Sequence, residues 1–175
     1  MPETPEAVST PKIDPLSAAH AALLAVEHDS ASQLGLYLAS CLALARLEVG
    51  AVVAMRPTPP ERPVRFIATA GHDELMTEKG PAWEITAIIV EGGQQRTPFH
   101  SIVKEPTPYG IMVMRLPGVR GHFLVGRFDP ALVANDGSHL SLNLRFERFA
   151  KNTARILRLR KALRGARLTR AREQR

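Results

Sequence analysis

Two apolar runs on either side of a short turn sequence constrain the fold of this chain more than any other feature. The stretch YGIMVMRLPGVRGHFLVGRFD, residues 109–129, places LPGVRG between two runs rich in branched and aromatic residues. Pro117 and Gly118 suit a tight turn, and Gly121 suits a bulge that follows it. The pattern predicts an antiparallel β-hairpin.

The N-terminal third of the chain predicts two helices. Residues 16–27 are dense in Ala and Leu, which are strong helix formers. A second helix is predicted over residues 33–48, because its apolar residues recur at the three-and-four spacing of a helical stripe. Ser30 or Ser32 can cap its start, and Gly50 follows its end.

Two strands and an irregular region are predicted between these helices and the hairpin. The short apolar runs 51–56 and 64–71 are predicted to pair as antiparallel strands. They are joined by PTPPERP, whose prolines cannot belong to a central strand. Residues 72–108 are harder to assign: DELMTEKG favours a helix and WEITAIIVEGG fits a helix or a buried strand. We predict helix followed by loop there.

A long helix is predicted from about Ser138, with Asn135 or Asp136 as its N-cap. Its seam residues, spaced by fours and threes, are Leu142, Phe146, Phe149, Thr153, Ile156 and Leu163. Arg160 is the one basic residue on this seam, and the first four turns present an apolar face. We predict a homodimer in which the helix contacts its sister helix through Leu142, Phe146, Phe149 and Ile156.

Positive charge is concentrated at the C-terminal end. Residues 145–175 hold twelve of the 23 Lys and Arg residues and two Glu, a net charge of +10, whereas residues 1–144 sum to −4. Basic residues at three- and four-residue intervals form a stripe that can follow phosphates. The predicted polyanion contacts are Arg148, Lys151, Arg155, Arg158, Arg164 and Arg167.

Three interpretations of this basic helix remain open. It can pair with a sister helix while its basic faces stay solvated or meet the acidic part of another subunit. It can contact nucleic acid without sequence specificity, since it has neither interleaved aromatic residues nor a helix-turn-helix. Binding to an anionic membrane surface is disfavoured because no bulky apolar residue follows Leu168.

The order of these elements resembles that of a GAF domain. The resemblance covers residues 30–160 and is carried by GAVVAMRP, by VRFIATAG and by the run from Tyr109 to Leu157. It implies an α+β fold, a central antiparallel sheet flanked by helices, with a long basic C-terminal helix. It further implies helices packed on one face of the sheet, a ligand pocket on the other, and dimerisation through the first and last helices.

Composition and the resemblance together predict the organisation of the chain. Residues 1–15 contain four prolines and almost no apolar residue, and are expected to form a flexible leader. Residues 16–164 are expected to form a GAF-like domain that includes the terminal helix, and residues 165–175 a basic tail. The implied role is a non-enzymatic regulatory or signal-sensing domain that binds a small ligand or a partner. Its output would be the tail or a separate protein. The cofactor stays unknown, because Cys41 precedes the first strand, unlike a bilin-attaching cysteine, and the residue set of cyclic-nucleotide-binding members is not found.

If the family geometry holds, the middle of the chain covers a pocket on the sheet. The candidate ligand-binding residues are Trp83, Phe99, His100, Tyr109, Met112 and Met114. Arg65 or Arg115 would be the charge partner of a ligand. The alternative is that these side chains are ordinary core.

Catalytic and metal sites have little support in the sequence. The six histidines show no metal-ligand spacing, and His72 beside Asp73 and Glu74 is typical of a solvated turn as well as of acid–base chemistry.

Cys41 is the only cysteine, which excludes an internal disulfide and suits a reducing compartment. The acidic, proline-rich N-terminus is unlike a signal peptide, and no apolar run approaches the ~20 residues of a membrane span. We predict a cytoplasmic protein without a transmembrane segment.

Overall fold

A computed structural model describes residues 15–55, 64–71, 76–77, 80–81, 83–95, 97–103, 109–131 and 139–174. Its helices are α1 (Pro15–Glu27), α2 (Ala31–Leu42), α3 (Trp83–Gly92) and α4 (His139–Glu173). Its strands are β1 (Val49–Met55), β2 (Val64–Ala70), β3 (Met76–Thr77), β4 (Gly80–Pro81), β5 (Phe99–Val103), β6 (Tyr109–Arg115) and β7 (His122–Phe128). The predicted leader, apart from Pro15, and the predicted caps Asn135 and Asp136 lie outside the described residues.

The central sheet has five strands in the order β2-β1-β7-β6-β5, and every neighbouring pair is antiparallel. β3 and β4 form a separate two-stranded sheet. The predicted α+β fold, with a central antiparallel sheet, flanking helices and a long C-terminal helix, is confirmed. The predicted pairing of the strands around residues 51–56 and 64–71 is confirmed as well.

The predicted hairpin is formed by β6 and β7, which pair from Gly110 with Phe128 to Arg115 with Phe123. Leu116 N donates to His122 O at 2.9 Å and closes the turn. Gly118 and Gly121 have φ angles of 71° and 69°, a region that side chains other than Gly avoid.

The pleat of the sheet divides the core into two clusters. α1, α2 and α4 cover one face, where Val52, Met112, Leu124 and Phe128 point. α3 lies on the other face, where Ile89 packs with Val53, Ile111, Val113 and Phe123. The two helical layers therefore contact alternate residues of the same strands.

The residues of the predicted dimer seam belong to the core of their own chain. Leu142, Phe146, Phe149 and Ile156 are each at most 6% exposed. Phe146 lies over β7, where a Cβ on Gly126 would come within 2.9 Å of its ring. The Phe149 ring is tilted against Tyr37 of α2, with centroids 6.1 Å apart. Side chains used in this way cannot also form an interface with a sister helix.

The second predicted helix is too long. α2 begins after the predicted cap Ser30, whose hydroxyl accepts from Gln33 N at 3.2 Å, but it ends at Leu42. Arg46 then takes a positive φ of 56°, and Gly50 lies inside β1. The local helix preference of ALARLE is overridden, since burial of Leu47 requires the chain to turn into the sheet.

The middle of the chain contains more strand than predicted. WEITAIIVEGG forms helix α3, as expected, but the predicted loop after it contains β5, an edge strand paired with β6. Met76 and Thr77, predicted as helix, pair with Pro81 and Gly80 instead. Short strands like these depend on their partners more than on their own sequence.

α4 continues past the predicted tail boundary. It runs to Glu173, and Gly165 is an interior position of the helix with nothing within 4 Å of a Cβ added there. Every residue from 161 to 174 is exposed. The tail, as far as residue 174, thus continues the last helix of the domain without packing on the core.

Candidate functional site: the basic surface around the C-terminal helix

Those predicted ligand-binding residues whose side chains the structure describes are divided between the two faces of the sheet. In β6, Tyr109 belongs to the cluster on the α3 face, whereas Met112 and Met114 belong to the cluster under α1, α2 and α4. In addition, Arg115 lies on the α3 face of the sheet, whereas Arg65 lies on the opposite face. The side chain of Trp83 lies outside the described part of the chain.

On the α3 face, the predicted residues contact their own chain. A Cβ on Gly92 would come within 3.0 Å of the Phe99 ring, so Phe99 lies against the end of α3. The guanidinium of Arg127 lies over the ring of Tyr109, 4.5 Å from its centroid. Arg115 donates to the carbonyl oxygen of Gly93 at 2.6 Å, where a cation complements the C-terminal end of α3.

Met112 and Met114, predicted to line a pocket, are 0% and 6% exposed and fill the core beneath the helices. Their burial agrees with the stated alternative of ordinary core, because a strand residue turned toward a packed helical layer has no solvent space in front of it. His100 is exposed on the edge strand β5. Arg65 is also exposed, and it lines a cleft that is described below.

Beyond the core, the seam of α4 changes from apolar to basic. The side chain of Arg160 is 8% exposed and lies against the loop between α1 and α2. Its Nε donates to Asp29 Oδ1 at 3.1 Å, its Nη2 lies 2.7 Å from the same oxygen, and Nη2 also donates to Ser30 O at 3.1 Å. Burial lowers the pKa of Arg160. The basic residue that interrupts the predicted seam is therefore anchored by a carboxylate and a carbonyl.

Arg164 and Arg167 continue this arrangement one and two turns later. Arg164 forms an ion pair with Asp29, and Arg167 donates to Glu27 O at 3.2 Å. Glu27 is the last residue of α1, so its carbonyl lies at the negative end of that helix. We call Arg160, Arg164 and Arg167, with their acceptors on Glu27, Asp29 and Ser30, the clasp.

The other predicted polyanion contacts lie on the outward side of α4. These four residues, which we call the outward stripe, are Arg148, Lys151, Arg155 and Arg158. All are exposed, and Lys151 forms an i,i+4 ion pair with Glu147 at 2.6 Å. The predicted set of six thus separates: two residues belong to the clasp and four lie on the outward side of the helix, from which Arg158 reaches the turn between β6 and β7.

A basic cleft opens beside α4, between β2 and the turn that joins β6 to β7. Its volume is about 520 Å³, within the range of about 300–1,000 Å³ common for ligand sites. Its charged residues are Asp29, Arg65, Arg120, Arg158, Arg160, Lys161 and Arg164. Sequence analysis missed Arg120 and Lys161, and it placed Arg65 on another site. The only sequence signal for this cleft was Arg120 in the turn LPGVRG.

Candidate metal ligands do not cluster in the described ranges. No group of three or more His, Cys, Asp or Glu residues is placed there to hold a metal ion. His72, Asp73 and Glu74 lie outside those ranges. Burial raises the pKa of the Cys41 thiol. None of the helices described is both long and apolar enough to cross a membrane.

Comparisons with known proteins yield structural similarity alone. No family model and no curated protein matches the chain. The GAF domain of a candidate sensor histidine kinase from Pseudomonas syringae pv. tomato is 13% identical, over 85% of this chain and 95% of that one, with a TM-score of 0.45. The GAF domain of A. aeolicus nlh2 in an inactive state is 11% identical, over 83% and 98%, with a TM-score of 0.48.

Proposed function

We propose that this protein is a non-enzymatic regulatory domain that binds a polyanion, the phosphate backbone of a nucleic acid, through the outward stripe of α4. The observation that carries the proposal is the exposure of all four stripe residues on a helix whose opposite face is buried. Core packing and the clasp hold that helix in place. The stripe is thereby presented in a fixed orientation, which lowers the entropy lost on binding.

The dimensions of the stripe suit a phosphate backbone. Arg148 and Arg158 are ten residues apart on one helix, which corresponds to about 15 Å. One strand of duplex DNA carries one phosphate for about every 3.4 Å of helix axis, so the stripe is long enough to face several phosphates. The ion pair of Lys151 is exposed and therefore weak, and a phosphate can replace Glu147.

The regulatory part of the proposal is the role that the sequence resemblance implies. The homodimer stays a prediction, and it needs another surface than the buried seam. Binding that rests on phosphate contacts supplies affinity without sequence preference. RNA and DNA of several sequences are therefore expected to bind with similar strength.

The test compares two double variants that remove the same charge. Arg148→Gln/Arg155→Gln alters the stripe, and Arg65→Gln/Arg120→Gln alters the cleft. Binding of fluorescent RNA and DNA to the full chain is measured at several salt concentrations, with molar mass read by light scattering in the same buffers. Loss of two phosphate contacts should reduce the slope of log K against log salt by about 1–2.

The stripe variant should lose affinity at low salt, while the cleft variant should bind like the unaltered protein. Equal losses in the two variants would mean that net charge, and not the stripe, governs binding. No salt-dependent binding by the unaltered protein would exclude the proposed contact.

A further inference from the structure

The basic cleft contains more positive charge than its own residues neutralise. Asp29 is the one acidic residue among the described residues that line it, and Arg160 and Arg164 both pair with this carboxylate. Arg65, Arg120, Arg158 and Lys161 also line the cleft. Four like charges that line one concave space repel one another, and a multiply charged anion would reduce that repulsion.

These four cations come from three separate elements. Arg65 lies on β2, Arg120 lies in the turn between β6 and β7, and Arg158 and Lys161 lie on α4. Arg158 is held against Gly118 of the turn, where an added Cβ would lie 3.2 Å from its Nη1. The absence of a side chain at Gly118 therefore lets the guanidinium settle beside the turn. Elements fixed by the sheet and the clasp keep the cations facing one space.

The cleft also has apolar walls. Ile67, Val119 and Leu157 line it, and all three pack against the core cluster under the helices. A bare phosphate would leave these side chains uncovered, whereas an organic group attached to the phosphates would bury them. The lining thus combines cations for phosphates with an apolar surface for a ring.

We infer that this cleft binds a small organic polyphosphate of the nucleoside di- or triphosphate class. The phosphates lie among Arg65, Arg120, Arg158 and Lys161, and the organic group lies against Ile67, Val119 and Leu157. The site differs from the outward stripe, with which it shares Arg158 alone. Its concave shape and volume suit a small molecule, while the stripe suits an extended chain.

The inference is tested by isothermal titration of the full chain with ATP and, separately, with inorganic tripolyphosphate. Arg65→Gln/Arg120→Gln should weaken ATP binding about tenfold or more, because two charged contacts to phosphate are lost. Arg148→Gln/Arg155→Gln, with the same change of charge, should alter it less than about twofold. Both altered pairs are exposed, and circular dichroism verifies that each variant folds.

Each outcome bears on the cleft independently of the stripe. Absence of saturable ATP binding, or equal weakening by both double variants, would overturn the inference. Tripolyphosphate should bind several-fold more weakly than ATP, since it lacks the group that covers the apolar walls. Equal affinities would refute the role of those walls. If ATP fails to bind but nucleic acid binds in a way that depends on the stripe, the proposed function is supported and the cleft site is refuted.

Discussion

Arginines on the two sides of α4 have opposite surroundings although they share one helix. Arg160, Arg164 and Arg167 lie on the side turned toward α1 and α2, where each donates to or pairs with an oxygen of the chain. Arg148 and Arg155 lie on the outward side and are exposed. The difference shows that spacing along a helix determines which residues share a face, while the opposing element determines whether that face is structural or available.

The inward side of α4 contains two regions that are stabilised by different interactions. From Leu142 to Ile156 its residues pack in the core and, apart from Thr153, are apolar. From Arg160 onward, the clasp residues are basic and bind carbonyl and carboxylate oxygens. One continuous seam therefore uses hydrophobic burial first and charged hydrogen bonds afterwards. The following variants test how sharply these regions differ.

The largest expected effect is in the apolar region. Phe146→Ala should lower the free energy of unfolding by about 3–5 kcal/mol, since it leaves a cavity in place of a fully buried ring. Leu144→Ala, two residues away and 59% exposed, should cost about 0.5 kcal/mol or less. Urea unfolding measures both. Similar losses would contradict the assignment of one side of α4 to the core.

The clasp should contribute less than the core but more than the stripe. Asp29→Asn leaves the buried guanidinium of Arg160 without its carboxylate and should destabilise the protein by about 2 kcal/mol. Arg155→Gln, on the outward side, should stay within about 0.5 kcal/mol of the unaltered protein. Thermal unfolding at matched salt compares the two. A neutral effect of Asp29→Asn would mean that the clasp adds no stability.

A side chain at Gly118, in the turn that Arg158 contacts, should destabilise the protein. Gly118→Ala places a Cβ at a positive φ of 71° and 3.2 Å from Arg158 Nη1, and should cost about 1–2 kcal/mol. Chemical unfolding gives the loss. If the cleft binds ATP, calorimetry of the same variant should show weaker binding, because Arg158 is displaced. Unchanged stability would argue against the left-handed geometry of this turn.

The smallest expected effect is a gain in the exposed end of α4. Gly165→Ala replaces the weakest helix former in this segment, and nothing lies within 4 Å of the added methyl group. Helix propensity should favour the variant locally by roughly 1 kcal/mol. Circular dichroism at 222 nm should show more helix, while the midpoint of core unfolding should hardly move. A marked rise of that midpoint would mean that this end is coupled to the core.

Sequence patterns predicted the elements whose signals are local. The β6–β7 hairpin, α3 and the long α4 follow from alternation, turn glycines and helical periodicity, each of which depends on neighbouring residues. The end of α2 and strand β5 were missed, because burial of Leu47 and pairing with β6 decide them. Both are long-range effects that a local pattern does not contain.

The candidate sites divide in the same way. Sequence spacing found the basic residues of α4 but assigned six of them to one function, whereas the fold separates the clasp from the outward stripe. The cleft was missed because Arg65, Arg120 and Arg158 are far apart in sequence and meet only when β2, the hairpin turn and α4 are assembled. The described residues among the predicted ligand-binding set are divided between the two faces of the sheet, since alternation along β6 sends Tyr109 and Met112 to opposite faces.

The sequence by itself determined that this protein has an antiparallel hairpin, a long amphipathic C-terminal helix and a strong accumulation of positive charge on that helix. Those properties follow from residue spacing, turn chemistry and composition. The tertiary structure decided that the seam of the helix belongs to the core of its own chain, that Arg160 pairs with Asp29, and that cations from three elements share one cleft. Burial and charge compensation depend on which surface faces a side chain, and the fold alone supplies that surface.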